Sequence, residues 1–401
     1  MKTETKKVIF VLDSFWPNQD GVSTVVQYLS AGLAKRGHIV EVLTNAKDRE
    51  LPKEEMHEGV HIRRIKVETR WPFYFRAMDK DSDIQAYRRE IEKFNPDVII
   101  VESLRSWTND WFVEFSEEFA CKKMLHLHSD ILNYKEYGVS KIDFKVRNIG
   151  NILYQARMQY KMRFYWKKIY GQLDKYNAVF YLSPGLKGIE RYQKKGSAKT
   201  YLLENAVDDI FFTIQAQHNE SAKDHCRFLC VANYMENKNQ GMLIEAYAKA
   251  NFDKPTELVF VGNGNHKYME SLKRQAEGLI EKETVQKKVI FFRGITRDET
   301  IDEYRNADVF VLPSKSEASS MVVREAAACK MAVISTNVGD ASQIPGCQIV
   351  YSKEEMIAAL ERNADDIAYR SRHAERLAEW ALEKCKREKA VSVLENAINE
   401  I

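Results

Sequence analysis

Residues 309–339 read VFVLPSKSEASSMVVREAAACKMAVISTNVG. Val309–Leu312 is a short apolar run of the kind that forms a buried strand. Pro313 and Ser314 open a loop that contains Glu317. Ser320 stands where a helix cap belongs. Val322, Val323 and Ala326 to Ala328 then supply a packing face, with Glu325 inside the helix. Ala332–Ser335 is the next strand. Strand, loop, helix and strand in this order predict a parallel sheet covered on both faces. In such sheets ligands bind beyond the carboxyl ends of the strands. The free N–H groups of a helix start also favour an anion. Main-chain donors at Ser320, Met321 and Val322 therefore suit a diphosphate. Glu325, about a turn further in, suits a ribose diol, and Glu317 suits a group nearer a sugar. Two glutamates near a helix start are common on their own, because acids complement the dipole. The strand-loop-helix-strand context gives this pair its weight.

The same rhythm runs through the chain. Val8–Leu12, Ile39–Leu43, Val60–Ile65, Val98–Val101, Lys123–Leu127, Val179–Leu182 and Thr200–Leu203 read as strands of a first half. Arg227–Val231, Leu258–Val261 and Val289–Phe292 precede Val309–Leu312 in the second. Val22, Val25, Val26, Leu29 and Leu33 recur at helical spacing after Gly21. With 401 residues the chain exceeds the roughly 250–300 at which single cores stop growing. The expected domains are 1–206 and 207–375, with 376–401 as helices crossing back to the first. The join falls where apolar periodicity fades, near Asn205–Ser221.

Composition narrows the function. Lys and Arg number 61 against 58 for Asp and Glu, a net charge of +3. That balance offers no basic surface for nucleic acid, and none is expected as a partner. The six cysteines include no CxxC pair, so they read as free thiols in a reducing compartment, and the expected location is cytoplasmic. Cys226 and Cys230 fall on one face of a strand. No segment has the run of about 18 apolar residues a membrane span needs. No carboxylate pair stands out as a magnesium site, since Asp208-Asp209 adjoins no glycine loop or long strand. The expectation is a metal-free site. Gly262-Asn263-Gly264 is a lone GxG, with Lys267 where a third glycine would belong, and reads as a tight turn.

Two segments break the rhythm. Asp48–Met56 is charged and reads as a solvated loop. Tyr154–Tyr170 mixes aromatics with Arg157, Lys161, Arg163, Lys167 and Lys168 and contains no acid. Its commoner reading is an amphipathic helix packed on its domain. The sharper one is a surface helix that meets anionic lipid headgroups at the inner membrane face.

The 309–339 stretch resembles the E-x7-E region of glycosyltransferase family 4, retaining enzymes of the GT-B fold. Other pieces resemble that family in the same order: FVLDSFWPNQDGVSTVVQYLSAGLAKRGHIVEVLT, LHLHSD, FLCVANYMENKNQGMLIEAYAKA, LVFVGNGNHKYMESLK and VIFFRGITRDETIDEYRNADVFVLPS. The resemblance implies an α/β chain of two Rossmann-like domains with parallel sheets facing a central cleft. It implies that Glu325 binds ribose hydroxyls and Glu317 the hydroxyls of the transferred sugar. Gly294 and Ile295 would meet the base through their backbone, and Gly21 would let the first loop approach the diphosphate. Lys238 would neutralise the leaving diphosphate. His128 would touch the sugar, and Asp130 would orient the acceptor. The implied donor is a nucleotide-diphosphate sugar, UDP-sugar first. The acceptor is a glycan or lipid-linked glycan of cell-surface polysaccharide synthesis, and no cofactor is implied.

Three departures stand out. Asn233 replaces the family's usual arginine, which removes a charge and a forked donor. Ala318, Ser319 and Ser320 replace glycines after the first glutamate. Asn205-Ala206 replaces an asparagine-glycine turn. These departures motivate an alternative, a catalytically degenerate partner subunit of the same fold. Glu317, Glu325, Lys238 and His128 occurring together argue against it. A sugar-nucleotide epimerase would need further acid and base carboxylates, and a dehydrogenase would need a GxGxxG turn.

Overall fold

Apolar strand runs and amphipathic helices alternate to build two separate sheets. The computed structural model describes residues 4–18, 20–46, 50–67, 81–104, 106–129, 171–214, 225–280 and 287–401. The chain forms two compact units, Met1–Glu204 with Ala390–Ile401, and Asn205–Lys389.

The described strands of the first unit are β1 (Lys7–Val11), β2 (Ile39–Asn45), β3 (Glu54–His57), β4 (Val60–Ile65), β5 (Val98–Glu102), β6 (Lys122–His126), β7 (Ala178–Tyr181) and β8 (Lys199–Leu202). They order β3-β4-β2-β1-β5-β6-β7-β8. Every pairing but β3 with β4 is parallel. The central strands are apolar on both faces because helices cover both. Ile9, Val11, Ile99, Val101, Leu125 and Val179 pack into one core with Trp107, Trp111 and Phe112.

The strand β3 corrects the reading of residues 48–56 as a solvated loop. Residues 54–57 pair antiparallel with β4. No apolar alternation marks them. The signal lies instead in the turn, where Glu58 and Gly59 have φ of 48° and 80°. Positive φ at both positions is what a two-residue hairpin turn requires. The charges of Glu54 and Glu55 sit on an edge strand and are ion-paired to Arg63 and Arg64 of β4.

The second unit holds β9 (Cys226–Val231), β10 (Thr256–Gly262), β11 (Lys287–Arg293), β12 (Val309–Leu312), β13 (Ala332–Thr336) and β14 (Gln348–Val350). They order β11-β10-β9-β12-β13-β14, all parallel. Period-two alternation splits the core between the faces. Cys226, Phe228 and Cys230 join one cluster and Leu229 the other. All six cysteines of the chain are free thiols. The three-residue β14 is too short to carry a readable pattern.

The tail differs from the expected 376–401 boundary. The helix Ile367–Lys384 sends Leu377 and Ala381 into the second unit's core. Only the last stretch, from Ala390, joins the first unit. There Val391 fills the space above Gly32, where a Cβ would lie 2.3 Å from its Cγ2. Glu395 pairs with Arg36 at 2.6 Å.

Candidate functional site

The residues expected to bind a donor in the second unit stand beyond the carboxyl ends of β9, β11 and β12, in the loops or, for Met321, Val322 and Glu325, on the helix that follows, the ends where parallel sheets bind ligands. The loops after β9 and β12 are tied to each other. The Lys315 N–H donates to the Asn237 carbonyl at 2.8 Å, and Asn237 Nδ2 donates to the Ser316 carbonyl at 3.1 Å. Asn239 Nδ2 donates to the Pro313 carbonyl at 3.1 Å. Asn239 itself turns the chain with a φ of 55°, a conformation asparagine tolerates. This tie sets Lys238 Nζ 2.7 Å from Glu317 Oε1. The Ser314 hydroxyl donates to the same oxygen at 2.7 Å.

Glu325 is buried on the helix Met321–Ala328. Its Oε1 accepts from Arg297 at 2.8 Å and its Oε2 from the Tyr304 hydroxyl at 2.8 Å. Each carboxylate oxygen keeps a second lone pair for a further donor. Burial opposes the Arg297 charge, and Glu325 outweighs it, so the guanidinium pKa is raised. Arg297 also lies 4.8 Å over the Phe211 ring. Burial, reinforced by Glu325, pushes the Tyr304 phenol well up, so it serves as a neutral donor.

Ser320 takes the N-cap position, but its side chain makes no capping bond. This corrects the expected cap. Its carbonyl accepts instead from Arg324 Nη1 at 3.2 Å. The buried Arg324 pairs with Asp340 at 2.5 Å, and the Ser319 hydroxyl donates to the same carboxylate at 3.0 Å. Gly339 has a φ of 55°, and a Cβ there would lie 2.6 Å from the Ala318 carbonyl oxygen. Ala318, Ser319 and Ser320 are therefore fixed from below by Asp340 and Gly339. Asn205 Nδ2 donates to the Ser319 carbonyl at 3.1 Å, which binds the domain join to this loop.

The other donor-side residues answer to local geometry. Gly294 has a φ of 73°, which favours glycine whatever the ligand. Ile295 packs partly into the core. Asn233 is exposed, and its carbonyl accepts from Gln240 at 3.0 Å. Gly262 and Gly264 serve packing. A Cβ at Gly262 would lie 2.0 Å from the Ala232 carbonyl oxygen, and one at Gly264 would lie 2.9 Å from that of Tyr234. Asp208 is ion-paired to Arg387 at 3.0 Å.

In the first unit, Gly21 opens the helix Gly21–Lys35, and a Cβ there would meet no atom of the described residues within 4 Å. Internal packing therefore does not demand this glycine. Asp20 caps the helix by accepting from the Ser23 N–H at 2.9 Å. His128 follows β6, and its Nε2 lies 2.5 Å from Glu102 Oε2 at the end of β5. His126 Nδ1 is 3.1 Å from the same oxygen but misaligned for a hydrogen bond. The two imidazole rings are 4.1 Å apart. Burial raises the Glu102 pKa, but His126 and His128 together overcome it and hold the carboxyl at about 2. Burial lowers the His128 pKa, with a push from His126, against the pull of Glu102 and Asp20. Glu102, His126 and His128 offer ligand atoms within 4.8 Å of one another, the grouping closest to a metal site among the described residues. Zinc ligands at about 2.0–2.2 Å stand roughly 3.3 Å apart, so the 2.5 Å separation is that of a hydrogen bond.

Sequence reasoning overlooked Arg297, Tyr304, Glu102 and His126. The one available signal was Glu102, a carboxylate ending the otherwise apolar VIIVE strand. Asp130 and segment 154–170 lie outside the described residues. A cavity of about 600 Å³ lined by Lys53, Arg64 and Glu90 lies elsewhere in the first unit and holds none of the expected residues. Among the described residues no helix is long and apolar enough to cross a membrane.

Glycosyltransferase Family 4 matches residues 19–208, and Glycosyl transferases group 1 matches residues 211–377. The chain belongs to the family 4 glycosyltransferases. This glycosyltransferase is 22% identical over 366 residues to a phosphatidylinositol N-acetylglucosaminyltransferase subunit of Arabidopsis thaliana, covering 89% of this chain and 74% of that one. Its fold matches a sucrose-phosphate synthase from Thermosynechococcus elongatus at 18% identity and a TM-score of 0.76, over 98% of both chains. It also matches Anabaena Alr3699/HepE in complex with UDP at 12% identity and a TM-score of 0.68, over 98% of this chain and 100% of that one. The neighbours bear out the GT-B fold.

Proposed function

We propose that this glycosyltransferase is a retaining, metal-independent hexosyltransferase that uses a UDP-sugar. Its acceptor is a glycan or lipid-linked glycan of cell-surface polysaccharide synthesis, met at the inner membrane face. The observation that carries the reading is the Lys238–Glu317 pair beside the uncapped start of the helix Met321–Ala328. Breaking a sugar–phosphate bond leaves negative charge on the diphosphate. Fixed donors aimed at that charge are usually the largest catalytic term. Lys238 and the helix start supply such donors without a metal. Among the described residues both hydrogen bonds of the Glu317 side chain fall on Oε1, which leaves Oε2 for a sugar hydroxyl. Glu325 takes the ribose diol on its second lone pairs, and Gly294 and Ile295 take the base. His128 meets the sugar. The UDP complex of the Anabaena neighbour supports the base. The Arabidopsis relative, by its name, supports a phospholipid-linked acceptor.

A thermal-shift panel of nucleotide diphosphates and their sugars, with and without EDTA, tests the reading. UDP and one UDP-sugar are expected to raise Tm equally in both conditions. At 100 times Kd the stabilisation is about 2.7 kcal/mol. A shift that EDTA abolishes and magnesium restores defeats metal independence. No shift with any nucleotide, from folded protein, moves the reading to a degenerate partner of an active chain. The Arabidopsis relative is named as one subunit of its transferase, which gives that alternative its support.

A further inference from the structure

We propose that Glu102 is a positioning residue for His128, holding Nε2 as the proton-bearing nitrogen so that Nδ1 is left to accept from a sugar hydroxyl. The inference rests on reading His128 as the sugar-facing residue of a transferase. Its observations are independent of that reading.

Glu102 ends β5 and His128 lies just beyond β6, two strands paired in register. The pairing of Glu102 with His126 in that register brings the Glu102 carboxylate under the chain that carries His128. The carboxylate is sealed from solvent, with side-chain exposure of 0%, and His128 retains 10%. A carboxylate has no proton to give here, so the 2.5 Å contact requires the proton on His128 Nε2. A bond from a neutral ring to an ionised acceptor is charge-assisted, shorter and roughly twice as strong as a neutral one. It sets both tautomer and ring orientation, and Nδ1 makes no hydrogen bond among the described residues. Nor does Nδ1 belong to the sealed unpartnered atoms, a set that includes Glu102 Oε1 and both ring nitrogens of His126. The open nitrogen of the pair is therefore Nδ1.

The cost of the arrangement shows that it is specific. Buried polar atoms without a partner each cost about 1–3 kcal/mol. Two of them, Glu102 Oε1 and His126 Nε2, lie here, while His126 Nδ1 stands 3.1 Å from Glu102 Oε2. An apolar strand end would fold with less penalty. His126, with its ring 4.1 Å from that of His128, leaves that ring little freedom to turn away from Glu102.

The test uses the full chain labelled with 15N-histidine, with His128→Ala to assign the signals. The wild type is expected to show His128 with a strongly downfield Nε2–H proton. In Glu102→Gln that proton moves upfield, because the acceptor is now a neutral amide. Turnover in Glu102→Gln should fall about 10–100-fold, the scale of a misplaced reacting group, with donor KM unchanged. Glu102→Asp keeps the charge and should recover part of the loss. A wild-type His128 protonated on Nδ1 overturns the proposal. So does unchanged turnover in Glu102→Gln, or one bound zinc per chain that the Gln variant loses. If Glu102→Gln does not fold, the wild-type tautomer and Glu102→Asp still decide. If no nucleotide sugar binds at all, the transferase reading fails while the proton signal continues to test the dyad.

Discussion

The two units place different kinds of polar group at their strand ends. In the second unit the charged groups are partnered within the protein: Lys238 with Glu317, Arg297 and Tyr304 with Glu325, Arg324 with Asp340. In the first unit the buried Glu102 carboxylate faces two imidazoles, His126 at 3.1 Å and His128 at 2.5 Å, instead of a side chain of fixed positive charge. The second unit therefore presents a preorganised electrostatic frame, whose dipoles need little rearrangement when charge develops. The first unit presents an imidazole held by a buried carboxylate. The contrast fits the division of labour proposed above, with Lys238 of one unit at the leaving group and His128 of the other at a sugar hydroxyl.

The largest expected effect removes a brace of the second unit's frame. Arg324 is buried, donates to Ser320, pairs with Asp340 and lies 5.5 Å from the Trp380 ring. Arg324→Ala leaves the Asp340 charge buried with only the Ser319 hydroxyl among the partners described above. Breaking a buried pair in this way costs about 3–5 kcal/mol. Denaturant unfolding should show that loss in the second unit. A loss under about 1 kcal/mol would mean that Asp340 readily reaches water, and that the loop is not braced as described. Next comes Lys238→Ala. Deleting one preorganised donor at a developing oxyanion costs about 10²–10³ in kcat. A variant that weakens donor binding but keeps kcat would assign Lys238 to ground-state binding alone and break the proposed contrast.

The frame of the second unit was largely legible because it follows local patterns. Val309–Leu312 and Ala332–Ser335 announce themselves by apolar runs, and Glu317 and Glu325 lie within one supersecondary unit. What joins them was not legible. The Lys238–Glu317 contact spans 79 residues, and no spacing rule foresees it. Arg297 and Tyr304 look like ordinary surface and core residues of an amphipathic helix until their side chains are seen to converge on Glu325. Glu102 was passed over for a related reason. It ends a strand at the register position opposite His126, and only the β5–β6 pairing turns that into a contact. The β3 hairpin was hidden because its determinant is backbone conformation at Glu58 and Gly59, which hydropathy does not register.

The smallest expected effect sharpens the comparison at Asn233. This residue is exposed at the carboxyl end of β9, in the loop that also carries Lys238. If the second unit's frame is complete, the arginine usual in the family adds a second cation to a phosphate site already served by Lys238. Asn233→Arg should then tighten UDP binding about three- to tenfold, roughly the 1 kcal/mol of a partly exposed charge pair. The gain should fall as salt rises, because exposed charges are screened. Turnover should change little, since the added charge meets ground state and transition state alike. A rise in kcat of a hundredfold or more would carry a different message. It would mean that Asn233 leaves the natural chain short of a catalytic cation, and that the frame of partnered charges lacks its principal member.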